Sequence, residues 1–418
     1  MDIQNFSKEF KCSCTKTHTC DIDHVIISSG AVNEIGNISK EYKHILIVAD
    51  RNTYPLCGDK VKALLEGKQV DTFVFDDEGI LVPDEKAIEK FTAAVTDDTD
   101  LIIGIGSGVI QDLCKYVSFE AKLPYYIIAT APSMDCYASV GAALILENMK
   151  VTCSAHVPKA IICDIDIIKD APMEMIRAGY GDILGKFSCL NDWKLSNVVN
   201  DEYYCDYIAD MTYDMLNKTK DLGKALQNRE PEAIKTLTEA LIGVGIAMAY
   251  SGNSRPASGS EHHMAHYFEI VGIVKDEPYF SHGADVAYSA VYTQKVREKL
   301  LKMDNPPIKS NHTNEKWEEN IRRIYGSAAE GVIALQNKLG WYNIDRNKVY
   351  CEKWDEIKSV LADTPSSDEM TAYLASVGLD IKEYEAEYGD KKIADGLLYA
   401  KDLKDRYSVL WMYYDCMA

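Results

Sequence analysis

The chain lacks any excess of basic charge. Its 418 residues carry 45 Lys and Arg against 65 Asp and Glu, a formal charge of −20. With no surplus of cations to release counterions, a general nucleic-acid or anionic-membrane surface is excluded. The same balance repels a phosphorylated ligand, which needs a local positive site. No apolar run reaches the length of a bilayer span; the longest, ALIGVGIAMAY (240–250), is short and interrupted by glycine. The opening segment MDIQNFSKEFKCSC has no apolar leader core, so the expectation is a cytoplasmic chain without membrane insertion. Internal repeats and low-complexity segments are also missing.

The 12 Cys follow no regular spacing, and the chain is far larger than a disulfide scaffold, so reduced thiols are expected. Cys12, Cys14, His18 and Cys20 crowd into CSCTKTHTC. Their atoms suit zinc, but the spacing matches no common zinc module, and the segment is expected to hold ordinary cysteines.

What is present is globular: 47% hydrophobic and 26% charged residues, in a chain long enough for two domains. HILIVAD (44–50), DTFVFDD (71–77), LIIGIG (101–106), YYIIAT (125–130) and IICDID (161–166) read as strands. Helical patterns lie between them, around Asp59–Glu66, Asp84–Val95 and Ile110–Glu120. That alternation predicts a parallel sheet with helices on both faces. Beyond Pro172 the pattern is helical, with 302–316 as a surface loop and the acidic tail from Lys353 as a solvated packing element. The expected division is an α/β domain over residues 1–170 and a helical domain over 171–418.

Two constellations carry chemistry. Strand LIIGIG runs into Gly106-Ser107-Gly108 and then a helix, so backbone and helix N-terminus could meet a pyrophosphate. The spacing departs from the usual dinucleotide fingerprint, and tight packing explains such a turn equally well. Asp50, closing the strand HILIVAD, suits the ribose hydroxyls of NAD and repels a 2′-phosphate, or simply starts a turn. The second constellation is SGSEHHMAHYFE (258–269), where His262 and His266 share one helix face, with His282 further on in FSHGAD. Two imidazoles on a divalent metal call for an oxygen ligand, and Asp182 in AGYGDILGK is the candidate. Glu261 is expected to face another side of the helix, and HExxH metalloprotease chemistry is excluded because His263 follows His262.

GIGSGVIQDLCKY (104–116), TAPSMDCYAS (130–139), GYGDILGK (179–186), SRPASGSEHHMAHYFE (254–269) and SHGAD (281–285) resemble the sn-glycerol-1-phosphate dehydrogenases. These belong to the wider iron-alcohol-dehydrogenase and dehydroquinate-synthase-like superfamily. The resemblance implies a Rossmann-like parallel-sheet domain followed by an all-α domain. It places one divalent metal, zinc or nickel, on Asp182, His262 and His282, and the nucleotide on Asp50, Gly106, Ser107, Gly108, Asp112, Thr130 and Ser133. Asp135 falls beside the glycerol moiety and His266 near the reacting centre. Cys136 replaces a frequent Gly. Lys186 stands where iron-type alcohol dehydrogenases usually carry a second His, which implies three protein ligands.

The implied reaction is reduction of dihydroxyacetone phosphate by NAD(P)H to sn-glycerol 1-phosphate, with NAD(H) favoured over NADP(H), in a homodimer or higher homo-oligomer. Metal Lewis acidity and hydride from the nicotinamide supply the chemistry, and Lys186 and Arg255 are the basic residues nearest in sequence for the phosphate, or ordinary salt-bridge partners. The rival readings are a glycerol or polyol dehydrogenase, a dehydroquinate-synthase-like lyase and a silent binding protein. Replacing Asp50 with Ser should raise kcat/KM for NADPH relative to NADH by roughly tenfold, about 1.4 kcal/mol; a wild-type chain that already strongly prefers NADPH removes Asp50 from the ribose site.

Overall fold

The computed structural model describes every residue except 1, 2, 4, 5, 77, 78, 80, 147, 148, 307–315 and 418. The chain forms two compact units, Met1–Ile183 with Asp210–Ser254, and Leu184–Ala209 with Arg255–Ala418.

The first unit holds every strand of the described chain. A hairpin of β1 (Glu9–Lys11) and β2 (Thr17–Thr19) comes first, then β3 (His24–Ser28), β4 (His44–Asp50), β5 (Gln69–Phe75), β6 (Leu101–Gly106) and β7 (Tyr125–Ala129). A second hairpin, β8 (Gly141–Leu146) with β9 (Met149–Ser154), precedes β10 (Ala160–Asp164). Six of these make one sheet in the order β3-β10-β7-β6-β4-β5, parallel at every pairing.

The Ile- and Leu-rich runs of β4 and β6 are buried almost without a break, as a parallel sheet covered on both faces requires. Ile45, Ile47, Ile103, Ile105, Ile128 and Ile162 join one core with the helices against it. The five strands expected from the sequence are therefore present, Asp77 of DTFVFDD lying outside the described residues. The edge strand β3 was not anticipated: it is five residues long and only alternately buried, so its apolar signal is weak.

Local chemistry sets the helix starts. Asp84 accepts the Ala87 amide at 2.9 Å and caps Glu85–Ala94. The helix expected near Asp59 begins earlier, at Tyr54, because Pro55 suits a first turn. Asp50 Oδ1 accepts the Asn52 and Thr53 amides at 2.8 and 2.9 Å and turns the chain into it. The apolar run at 240–250 lies within the 21-residue helix Pro231–Ser251, whose most apolar window has a mean hydropathy of 1.3 and is 83% buried. It passes a membrane-span test by length and composition, yet it is a core helix of the first unit.

The second unit is helical, and no strand follows Asp164 among the described residues. Most of the expected 302–316 loop, residues 307–315, lies outside the described residues. The tail from Lys353 is helical, as expected, but it is not a solvated element. Trp354, Ile357, Leu361, Tyr407, Trp411 and Met412 form one core with Leu195, Val296 and Leu300. Most of its charges fall on the outer faces of helices whose inner faces are aromatic and aliphatic, while Lys401, Asp402 and Asp415 are buried, so a charge count misplaced it.

Asp192 on helix Lys186–Asn200 ties this unit together. Oδ1 accepts from Arg297 Nη2 at 2.7 Å and from the Val409 amide at 2.9 Å, while Oδ2 accepts the Ser260 amide at 2.6 Å. Both members of the Asp192–Arg297 pair are fully buried. Arg297→Met leaves that carboxylate uncompensated and should destabilise the unit by about 3–5 kcal/mol, and Asp192→Asn with Arg297→Met should cost less than the sum of the single changes. Urea unfolding measures both; additive losses contradict the pairing.

Candidate active site

Two strand ends meet where the sheet reverses direction. The chain passes from β4 to β5 on one side, then places β6 on the other side of β4. Ligands of open parallel sheets bind at this reversal, beyond the carboxyl ends of the strands. Ala49 pairs with Ile105, so Asp50 and Gly106 emerge side by side at those ends. From there the helix Gly108–Ala121 departs, with Ser107 at its N-cap making no side-chain cap bond, so its first amides point outward as an anion site.

The glycines have packing reasons too. A Cβ on Gly106 would lie 2.5 Å from Ile110, and one on Gly108 would lie 2.8 Å from Met134 Sδ. The tight packing that such a turn suggests is therefore present. Thr130 donates its amide to the Gly106 carbonyl at 3.1 Å, and Thr130 and Ser133 are buried beside it in sequence order. Asp112 faces Lys115 Nζ at 3.4 Å, and the same ammonium donates to Cys136 O, Ser139 Oγ and Gly141 O at 3.0, 2.9 and 2.8 Å. Lys115, not singled out in the sequence, thereby anchors the APSMD turn to the nucleotide-loop helix.

One close approach places the acidic residues of this unit. Gly179 lies on helix Met173–Leu184, and a Cβ there would stand 1.8 Å from the Pro132 carbonyl oxygen. Only a hydrogen fits, so the APSMD backbone closes onto the helix. Asp182, one turn along and fully buried, then accepts the Asp135 amide on Oδ2 at 3.0 Å. GYGD and APSMD, far apart in sequence, are two halves of one contact.

In the second unit three imidazoles gather. The ring centroids of His262 and His282 are 5.2 Å apart, those of His266 and His282 also 5.2 Å, and those of His262 and His266 6.2 Å. Glu261, expected on another face, instead bonds His262: Oε1 lies 2.7 Å from Nδ1 and also accepts the Gly259 amide at 2.9 Å. Burial pushes the Glu261 carboxyl upward, but His262, the Gly259 amide and the charge of Lys186 outweigh it and hold the group below the usual carboxylate range. An ionised Glu261 can only accept, so His262 carries its proton on Nδ1 and leaves Nε2 as a lone pair. That is the arrangement of a metal-binding imidazole oriented by a carboxylate, and the donor set fits a divalent ion such as zinc or nickel.

Glu269, also unforeseen, faces His266 Nδ1 at 3.4 Å, and His266, Glu269 and His282 offer ligand atoms within 4.8 Å of one another. The signal for Glu269 was its i+3 spacing from His266; Glu261 was missed because adjacent helix positions diverge, yet this pair sits at the first turn, where side chains bend back.

Of the two basic residues expected to face a phosphate, Arg255 is a salt-bridge partner. Its Nε donates to Glu202 Oε1 at 2.7 Å, its Nη1 to the Tyr407 carbonyl at 2.8 Å, and its Nη2 to Glu202 Oε2. Lys186 Nζ is buried and donates to the Ala257 carbonyl at 3.0 Å. Arg406 donates to the Ser258 carbonyl at 3.0 Å, and burial together with the charge of Arg255 lowers its pKa to about 10.

The iron-containing alcohol dehydrogenase family model matches residues 26–172. Glycerol-1-phosphate dehydrogenase (NAD(P)+) of Halalkalibacterium halodurans is 34% identical over 302 residues, covering 69% of this chain and 76% of that protein. The chain belongs to the glycerol-1-phosphate dehydrogenase family. The protein of the same name from Geobacillus thermodenitrificans is 28% identical across 97% of this chain and 96% of its own. An archaeal halo-thermophilic alcohol dehydrogenase from a Red Sea brine pool shares the fold, with a TM-score of 0.60 and 16% identity over 99% of this chain and 100% of its own.

Glu261→Gln keeps the shape but removes the charge that orients His262. Metal affinity, read by competition with a chelator, should fall roughly 10–100-fold while NADH binding is retained; unchanged affinity makes Glu261 a packing residue only.

Proposed function

We propose that this chain reduces dihydroxyacetone phosphate to sn-glycerol 1-phosphate with NAD(P)H, and catalyses the reverse oxidation. The observation that carries the reading is the cluster of His262, His266 and His282 with Glu261 fixing the tautomer of His262, in a chain of this family. Residues 1–170 take the nucleotide-binding role and residues 171–418 the metal- and substrate-binding role. Asp182, His262 and His282 hold one divalent ion, zinc or nickel. When bound, the ion supplies Lewis acidity at the ketone oxygen and the dinucleotide supplies hydride.

The chain's own residues do the rest. Gly106, Ser107 and Gly108 admit the pyrophosphate to the helix N-terminus, with Asp112, Thr130 and Ser133 lining the same loop. Asp50 commits one carboxylate oxygen to its turn and keeps the other for the ribose, which favours NADH over NADPH. Asp135, whose backbone is fixed by Asp182, orients the glycerol hydroxyl. His266, with Nδ1 turned to Glu269, handles the proton at Nε2. Lys186, whose charge adds to the effects of His262 and the Gly259 amide on Glu261, contributes with Arg406 positive charge at the start of the His-bearing helix. The enzyme works in the cytoplasm as a homo-oligomer.

A dianion approaching a chain of charge −20 depends on that local charge. With NADH oxidation followed on both ketones, dihydroxyacetone should show kcat/KM lower by roughly tenfold or more per lost charge-assisted contact. Added salt should weaken only the phosphorylated ketone. Equal, salt-insensitive rates would instead indicate a polyol dehydrogenase, and NADH that is not consumed a lyase.

A further inference from the structure

The CSCTKTHTC segment (12–20) is the turn and second strand of the β1–β2 hairpin, in which Phe10 pairs with His18 and Lys11 with Thr17. The turn between the strands is closed by the Cys12 amide on the Lys16 carbonyl and the Thr15 amide on the Cys12 carbonyl, both at 3.0 Å. Thr15 holds a left-handed φ of 74°, a costly conformation for a β-branched residue. This fold turns Cys12, Cys14 and His18 to one point: one thiol sulfur from each cysteine and one imidazole nitrogen all lie within 4.8 Å of one another.

His18 settles the chemistry of that point. The ring is buried, 1% exposed, and packs between Phe10 and Tyr250. Its Nδ1 lies 2.7 Å from the Tyr250 carbonyl oxygen. A carbonyl only accepts, so Nδ1 carries the hydrogen and Nε2 presents a lone pair. That lone pair lies 3.3 Å from Cys14 Sγ, close to the ~3.6 Å that a sulfur and a nitrogen keep on one tetrahedral zinc with bonds of about 2.3 and 2.1 Å. An imidazole whose other nitrogen donates to a backbone carbonyl is the usual oriented metal ligand. Cys20, the remaining cysteine of the segment, stays out: it is buried and its sulfur is not among the ligand atoms that converge there.

We propose that Cys12, Cys14 and His18 form a second metal site that holds a zinc ion, with a ligand from outside the hairpin completing the tetrahedron. Two thiolates with one neutral imidazole select a thiophilic ion, unlike the all-nitrogen-and-oxygen set of the three-histidine cluster. The ion pins the strained hairpin turn, and through the His18–Tyr250 bond it fastens the hairpin to the end of helix Pro231–Ser251. The role is structural, holding the hairpin against that helix. The alternative is a plain hydrogen bond from the Cys14 thiol to His18.

The two differ in cobalt-substituted full-length protein. Only a thiolate site gives a sulfur-to-cobalt charge-transfer band in the near ultraviolet, and the histidine cluster contributes none. The wild type should show the band, Cys12→Ser/Cys14→Ser should lose it together with one metal equivalent while still oxidising NADH, and Cys351→Ser, an exposed cysteine elsewhere, should keep it. Should the double variant fail to fold, alkylation of wild-type protein decides: Cys12 and Cys14 should be shielded in the zinc form and become reactive after chelation. Absence of the band in wild type, its survival in the double variant, or equal alkylation with and without zinc each overturns the site.

Discussion

A carboxylate in a protein interior stays charged only where donors replace its lost water, and this molecule is organised around that requirement. Asp182, Asp192 and Glu261 are each fully buried, and each is met by a backbone amide from a glycine- or turn-rich motif. Asp182 takes the Asp135 amide, Asp192 the amides of Ser260 and Val409, Glu261 that of Gly259. Side chains complete the pairing for two of them, Arg297 for Asp192 and His262 for Glu261. In the first unit APSMD and GYGD are donor and acceptor of one such contact, and in the second SGSEHH supplies the Gly259 and Ser260 amides and the Glu261 carboxylate of others.

The consequences run outward from these contacts. Gly179 has no side chain because the Pro132 carbonyl occupies its place, and that approach brings the Asp135 amide to Asp182. Asp192 sets the first turn of the helix that carries His262 and His266, so a residue that touches no reacting atom decides where two imidazoles point. Glu261, held ionised, chooses the tautomer of His262. Each step converts a packing constraint into the placement of a functional atom.

Much of this was legible in the sequence. Continuous apolar runs such as HILIVAD and LIIGIG can only be strands buried on both faces, and their glycine and aspartate termini mark the ligand end of the sheet. The i, i+4 histidines read directly as one helix face. What was not legible depends on partners distant in sequence. Nothing local says that Arg255 meets Glu202, that Asp192 meets Arg297, or that Gly179 meets Pro132. The tail from Lys353 misled because most of its charge lies on outer faces, while Trp354, Tyr407 and Trp411 fill a core. The convergence of Cys12, Cys14 and His18 was not legible either, because spacing along the chain does not show how a hairpin brings them together.

These buried contacts hold the residues proposed to serve hydride delivery to one face of a phosphorylated ketone. The most direct measurement is the configuration of the product formed from dihydroxyacetone phosphate and NADH by the metal-loaded enzyme. The account predicts sn-glycerol 1-phosphate as the only enantiomer. Formation of sn-glycerol 3-phosphate, or of a racemic mixture, would contradict it.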